Sequence, residues 1–300
     1  MVFAVPQNTV LIGDGGLATE LEAHGHDLSD DLWSARLLID NPEDIVAVHT
    51  EFFRAGASIA TTASYQASYD GFATRGISRD MATRLLRRSV ELGRRARDGV
   101  GGRRWVAASV GPYGAAQANG AEYRGRYGLT VSQLAAWHRP RLEVLAEAGP
   151  DVLAIETVPD VDEAEALVGL IGDLGVPAWL SYTVSGTTTR AGQPLSDAFA
   201  VAAGVPEIVA VGVNCCSPGD VLTAVQIARE TVDHPVIVYP NSGEAWDGER
   251  RTWIGSARWS TDLVPQWVAA GARIIGGCCR VRPAEIAAVA AAVEGLSPAG

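Results

Sequence analysis

No lysine occurs anywhere in the 300-residue chain; all 24 of its basic residues are arginine. That absence excludes a P-loop lysine, a Schiff-base lysine and a pyridoxal-phosphate anchor together. Cysteine is scarce as well, with four residues in the adjacent pairs Cys215-Cys216 and Cys278-Cys279. A secreted disulfide framework spreads its cysteines through the chain, so metal or thiol chemistry is the question these pairs raise. No apolar run approaches the roughly 18 residues of a membrane-spanning helix. The first residues, MVFAVPQNTV, lack the basic-then-apolar order of a secretory signal. A cytoplasmic location without a membrane partner is the expectation. Positive charge is in deficit, 24 basic against 35 acidic residues for a net charge of −11, which argues against a nucleic-acid or anionic-membrane partner. Small molecules are the expected ligands, and a monomer or weak homo-oligomer the expected state.

What is present is a globular composition, 47% hydrophobic and 20% charged. Eight short apolar runs, rich in β-branched residues and ending in Gly, Asn, Ser or Cys, lie at 9–15, 58–64, 104–111, 151–157, 177–183, 207–214, 234–241 and 272–279. Runs that are apolar almost throughout suit a parallel sheet covered on both faces. Between them, segments such as 42–55, 80–97, 134–148, 161–174 and 220–231 carry apolar residues at helical spacing, several after a Pro, Ser or Asp start signal. The alternation predicts an α/β fold, a single (β/α)8 TIM barrel filling residues 1–300 as one domain. Long loops are expected on its top, C-terminal face after strands 1, 3 and 7.

In that fold the strand ends converge on one mouth, bringing Asp14, Tyr65, Glu156, Cys215, Asn241, Cys278 and Cys279 together. Three thiolates from Cys215, Cys278 and Cys279 would make a three-sulfur Zn²⁺ site with its fourth position open. The other readings of these cysteines are small buried core residues, a vicinal disulfide or a thiol redox switch. Cys216 should point away from Cys215 into packing. Asp14 and Glu156 form a carboxylate pair able to hold an ammonium group, while Gly15 and Gly16 let backbone N–H groups approach a carboxylate. Asp14 could equally serve a helix N-terminus, and Glu156 pair with an arginine on the rim. A glycosidase-type pair would leave the cysteines without a role. GDGGLA matches a dinucleotide fingerprint, but the next strand begins more than 40 residues on with no acidic residue at its end, which breaks the βαβ context. Tyr65, Tyr113, Tyr123, Tyr127, Trp33 and Trp246 lie in or near the long top-face loops, where one or two could meet a cation and the others pack as a lid. Asn241 serves either a substrate or the strand-7 turn, and the five histidines show no zinc-ligand spacing.

The segments GDGGLATEL, TASYQAS, SVGPYGA, EYRGRYG, LAIETVPDVDEAEAL, GVNCCSP, YPNSGEAWD and IIGGCCRVRP resemble the homocysteine S-methyltransferase family, most closely its branch using S-methylmethionine or S-adenosylmethionine. The match runs in order from about residue 13 to 286. The resemblance implies a (β/α)8 barrel with one Zn²⁺ on Cys215, Cys278 and Cys279, acidic residues corresponding to Asp14 and Glu156 on the substrate, and a substrate contact from the strand-2 tyrosine, Tyr65, which puts Tyr65 first among the aromatics. It also implies the reaction: homocysteine, its thiol deprotonated at the metal, attacks the methyl of a sulfonium and becomes methionine. The remote betaine-using branch carries a tyrosine where Thr157 stands here, making betaine the poorer donor. Two alternatives share these residues: another thiol or selenol acceptor, and a non-catalytic thiol- or metal-binding barrel.

Overall fold

The computed structural model of the chain describes residues 3–28, 33–247, 252–257, 259 and 261–296, with only the backbone at 33, 245–247 and 252–253. Eight strands form one sheet: β1 (Leu11–Ile12), β2 (Ile59–Thr61), β3 (Trp105–Val110), β4 (Val152–Val158), β5 (Ala178–Tyr182), β6 (Ile208–Asn214), β7 (Val236–Tyr239) and β8 (Ala272–Ile275). Their order is β1-β8-β7-β6-β5-β4-β3-β2, every pairing parallel, with helices between them. This is the expected (β/α)8 barrel.

The seam between β1 and β2 closes through side chains. Ser58 N donates to Ile12 O (2.7 Å), while the Ser58 hydroxyl accepts from Ile12 N (3.1 Å) and donates to Ile12 O (3.0 Å). One turn higher, Asp14 accepts from Thr61 N (2.7 Å) and from Thr61 Oγ1 (3.0 Å). Two short strands thus stay joined although no regular ladder spans them.

Strand side chains alternate between two cores, as the two-residue period requires. Val106, Ala108 and Val110 of β3, Leu153 and Ile155 of β4, and Val211 and Val213 of β6 face the helices. Trp105, Ala107, Val152, Ala154, Trp179, Ala210, Ile237 and Ile274 fill the interior. The same inward register, carried upward, ends in Ser109, Glu156, Ser181, Asn214 and Tyr239, all buried. The polar top layer is therefore dictated by where each apolar run stops.

The helices begin on the expected signals. Ser78 caps Arg79–Val100, Thr130 and Gln133 form a capping box on Val131–Glu147, and Ser217 caps Pro218–Thr231. Some elements were not legible in the sequence. Phe3 plugs the bottom of the barrel, edge-on to Trp105 at 5.5 Å and tilted to Trp179 at 6.4 Å. A small hairpin, Val184–Ser185 with Thr188–Thr189, follows β5. The loop after β7 carries a second hairpin, Ala245–Asp247 with Thr252–Ile254, and residues 248–251 between them lie outside the described residues. None of the described helices is long and apolar enough to cross a membrane.

Ser58→Ala removes the side-chain half of the seam and leaves a buried N–H of Ile12 unpaired. A loss of about 1–3 kcal/mol is expected in urea unfolding; an unchanged midpoint would show that the seam does not depend on this hydroxyl.

Candidate functional site

The polar top layer opens into a cavity of about 560 Å³ lined by Asp14, Gly15, Tyr65, Glu156, Cys215, Cys278 and Cys279 among others. Residues from strands 1, 2, 4, 6 and 8 are thus brought to one place. All four cysteines are free thiols. Cys215 Sγ lies 3.7 Å from Cys279 Sγ, Cys279 Sγ lies 4.0 Å from Cys278 Sγ, and all three sulfurs fall within 4.8 Å of one another. Sulfurs placed tetrahedrally about 2.3 Å from a zinc ion would be about 3.8 Å apart. A disulfide needs about 2.05 Å. The cluster fits a metal without rearrangement, and its soft thiolate donors suit zinc. Cys216 is buried in the outer core instead.

The three sulfurs are held by backbone bonds more than by their own packing. Cys215 has a left-handed backbone, φ 51°, fixed by its N–H on Tyr239 O (3.2 Å) and by Thr183 Oγ1 donating to its carbonyl (3.1 Å). Cys278 N donates to Pro240 O (2.8 Å) and Cys279 N to Asn241 Oδ1 (3.2 Å). Asn241 is absent from the cavity lining, and its Oδ1 ties the loop after β7 to the Cys279 backbone after β8. Gly15 and Gly16 abut the same loop: a Cβ on Gly15 would collide with Val281 O, and one on Gly16 would stand 2.7 Å from Cys278 O. Gly16 N is already bonded to Val281 O (2.8 Å), which leaves Gly15 as the candidate for backbone contact with a ligand.

Thr157 also has a positive φ, 60°, an unfavourable conformation for a β-branched residue. Asn214 clamps it, accepting from Thr157 N (2.7 Å) and donating to Thr157 Oγ1 (2.8 Å), while Ser181 Oγ donates to Asn214 Oδ1 (2.7 Å). One asparagine thereby ties β4, β5 and β6 together immediately before the first cysteine.

Tyr65 hydrogen-bonds Thr157, and burial holds its phenol protonated. The family resemblance puts Tyr65 first among the aromatics for substrate contact; the hydroxyl that reaches a sulfur is that of Tyr123, 3.2 Å from Cys215 Sγ. Arg190, on the hairpin after β5, covers the Tyr123 ring at 5.8 Å. Hydrogen bonds from Cys278, Cys279 and Tyr123 pull the Cys215 thiol well below its ordinary value, so Cys215 ionises first. Tyr113 packs on Tyr127 at 5.2 Å and on Trp137 at 5.0 Å, as lid structure. The side chains of Trp33 and Trp246 lie outside the described residues.

Asp14 and Glu156 are both buried. Burial pushes the Asp14 carboxyl up from 3.8 to about 8 against the pull of the Thr61 donors, and the Glu156 charge adds to the rise. Burial likewise pushes Glu156 to about 7, opposed by hydrogen bonds from Ser109 and Tyr239. The described residues hold a second metal-capable group, Glu20, His24 and Glu51. There Glu20 is engaged by Arg282 through two bonds of 2.7 and 2.9 Å, which neutralises it. Arg280, beside the cysteines, pairs with Glu244 at 2.8 Å.

A family model described as homocysteine S-methyltransferase matches residues 11–293. The chain belongs to the homocysteine S-methyltransferase family. It is 46% identical to the homocysteine S-methyltransferase of Escherichia coli over 94% of each chain, and 41% identical to the enzyme YbgG of Bacillus subtilis over 96% of this chain and 95% of that one. The metallated form of the homocysteine methyltransferase MmuM from Escherichia coli superposes with a TM-score of 0.87 at 45% identity, covering 95% of this chain and 96% of that one. As a member of the homocysteine S-methyltransferase family, the protein is a methyltransferase.

Two features of this family member escape motif reasoning. Glu122 lines the cavity; it opens the EYRGRYG segment, but nothing in that segment assigns it a role. The Asn214 clamp is visible only once β4 and β6 are neighbours of β5. The raised Asp14 value carries a stability consequence. With its folded value above its unfolded one, protonation of Asp14 favours the fold fully below about pH 4, and that contribution is lost as pH rises through about 8. Asp14→Asn removes this loss. In reduced protein with a chelator present, the Tm advantage of the variant over wild type should be larger at pH 8.5 than at pH 5; a constant or shrinking advantage would contradict the buried, protonated Asp14.

Proposed function

We propose that this chain transfers a methyl group from a sulfonium donor to the thiol of L-homocysteine, forming methionine, with S-methylmethionine the favoured donor and S-adenosylmethionine a lesser one. Residues 1–300 act as one domain, in the cytoplasm, as a monomer or weak homo-oligomer. The observation that carries the reading is the convergence of three cysteine sulfurs at the base of a cavity that also holds two buried carboxylates. Cys215, Cys278 and Cys279 would hold zinc. When bound there, zinc would supply the positive charge that keeps a thiol ionised at neutral pH.

The remaining chemistry belongs to the chain. Asp14 and Glu156 would take the ammonium of homocysteine by charge-assisted hydrogen bonds, and the Gly15 backbone would approach its carboxylate. Binding an ammonium also resolves the pair's own difficulty, because an opposite charge lowers both raised carboxyl values. Tyr65 and Tyr123 bound the space in front of the sulfurs and exclude water there. The acceptor sulfur then attacks the methyl carbon in line. A new carbon–sulfur bond forms as the donor's carbon–sulfonium bond breaks, and the breaking pair returns to the donor sulfur as a neutral thioether. No general base and no covalent enzyme intermediate is required, so the protein contributes positioning and charge. The cavity suits a cationic donor: among the described residues Asp14, Glu22, Asp27, Glu122, Glu156 and Glu244 line it against one arginine, Arg280.

Purified reduced protein should contain about one zinc per chain, as a single three-cysteine site with an open fourth position implies, and form methionine from homocysteine and S-methylmethionine. Cys278→Ala should lose both. Zinc without turnover on any sulfonium donor would redirect the reading to another thiol or selenol acceptor; absence of zinc with Cys278 and Cys279 found disulfide-bonded would overturn the metal assignment.

A further inference from the structure

Two acceptor atoms in the cavity have no partner. Glu122 Oε2 and Gln66 Oε1 are both buried, and neither accepts a hydrogen bond. Both residues line the cavity of the three sulfurs. The same short helix, Tyr113–Ala116, brings them there. Gln66 Nε2 donates to Ala115 O (3.1 Å), which fixes the amide so that Oε1 is the free end. Glu122 abuts the next residue of that helix, Gly114, so closely that a Cβ there would stand 2.5 Å from Glu122 N. Arg124 acts on Glu122 through its charge, while its Nη1 donates to the carbonyl of Asn119 (3.3 Å) and leaves Glu122 Oε2 without a hydrogen bond. A buried carboxylate oxygen and a buried amide oxygen left together without donors are costly in isolation, and such groups call for an explanation.

The chemistry missing from this place is a cationic group with several N–H donors. An ammonium group has three. A sulfonium has none, so it could lie near the carboxylate but could not satisfy either oxygen. Homocysteine offers an ammonium, but Asp14 and Glu156 already form an acidic pole for it. Glu122 interacts electrostatically with Cys215 and with Tyr65. Two acidic poles from different parts of the fold thus line the cavity of the sulfurs: Asp14 with Glu156 from the ends of β1 and β4, and Glu122, with Gln66, beside the short helix after β3. Two amino acids whose sulfurs must meet require such an arrangement, one ammonium at each pole.

We infer that Glu122 and Gln66 form the subsite that receives the α-amino group of the methyl donor. The inference rests on the functional reading above, in which the donor is an amino-acid sulfonium. It makes the enzyme selective for sulfonium donors that carry a free amine, and it assigns that selectivity to the loop after β3.

The test measures steady-state constants for both substrates in wild type, Glu122→Gln and Gln66→Met, with metal content determined for each. Glu122→Gln should raise KM for S-methylmethionine roughly ten- to a hundredfold, the range of a lost charge-assisted hydrogen bond, and Gln66→Met by roughly three- to tenfold. KM for homocysteine should stay within about twofold and metal content should not change. The amine-free sulfonium dimethylsulfoniopropionate, added as a competitor, should inhibit wild type and Glu122→Gln equally, including not at all. Wild type that turns over S-methylmethionine with no KM change in either variant would refute the subsite alone. A rise in the homocysteine KM would assign Glu122 to the acceptor, and weaker inhibition by the amine-free competitor in Glu122→Gln would assign it to the sulfonium; each overturns the inference. No turnover of S-methylmethionine by wild type would refute the donor reading and this subsite with it. Should Glu122→Gln fail to fold, the Gln66→Met constants decide.

Discussion

Three sulfur atoms within 4.8 Å of one another cannot all ionise in a buried pocket unless a cation sits among them. Without one, the cluster divides its protons unequally. Cys215 is drawn down by hydrogen bonds from its two neighbours and Tyr123, while Cys278 and Cys279 are pushed up by their interaction with Cys215. Much of the top of the barrel serves to keep this unfavourable grouping in place. Asn241, Pro240, Tyr239 and Thr183 hold the cysteine backbones, and the glycines of GDGG let the first loop close on the last.

Backbone strain is concentrated at the same rim. Thr157, Cys215 and Arg280 have positive φ values of 60°, 51° and 63°: Thr157 is the last residue but one of β4, Cys215 directly follows β6, and Arg280 lies in the loop after β8. Such conformations cost free energy that surrounding contacts must offset. Asn214 does so for Thr157 by bonding both its N–H and its hydroxyl. Buried carboxyls at Asp14 and Glu156 add a second unfavourable element. Stability is given up where ligands dock and is recovered in the two apolar cores below, the usual exchange between fold and function.

The barrel was legible because its strands are nearly continuous apolar runs and its helices open on Ser, Thr or Pro signals. The cysteine site was legible for a related reason: Cys215 and Cys278 each follow directly on an apolar run, and parallel strands bring their ends to one face. Other features depend on packing that no local pattern encodes. Phe3 as the barrel's floor follows from the space left between Trp105 and Trp179. Tyr123 reaches Cys215 only because the loop after β3 folds back over the mouth, and in the sequence it is one tyrosine among several. Asn241 reads as a ligand contact or a turn residue, and its bond to the Cys279 backbone, which joins two strand ends, has no local signal in the sequence. Glu122 stands within the EYRGRYG segment that carries the resemblance, but its residue type and spacing assign it no role there, since an acidic residue in a loop is ordinarily solvated.

The most direct test of the central claim, that this barrel exists to present three converging sulfurs to one metal ion, is X-ray absorption at the zinc edge of the reduced, purified protein. Three sulfur scatterers at about 2.3 Å per zinc are predicted. A nearest shell of nitrogen and oxygen alone, or one with fewer than three sulfurs, would contradict it.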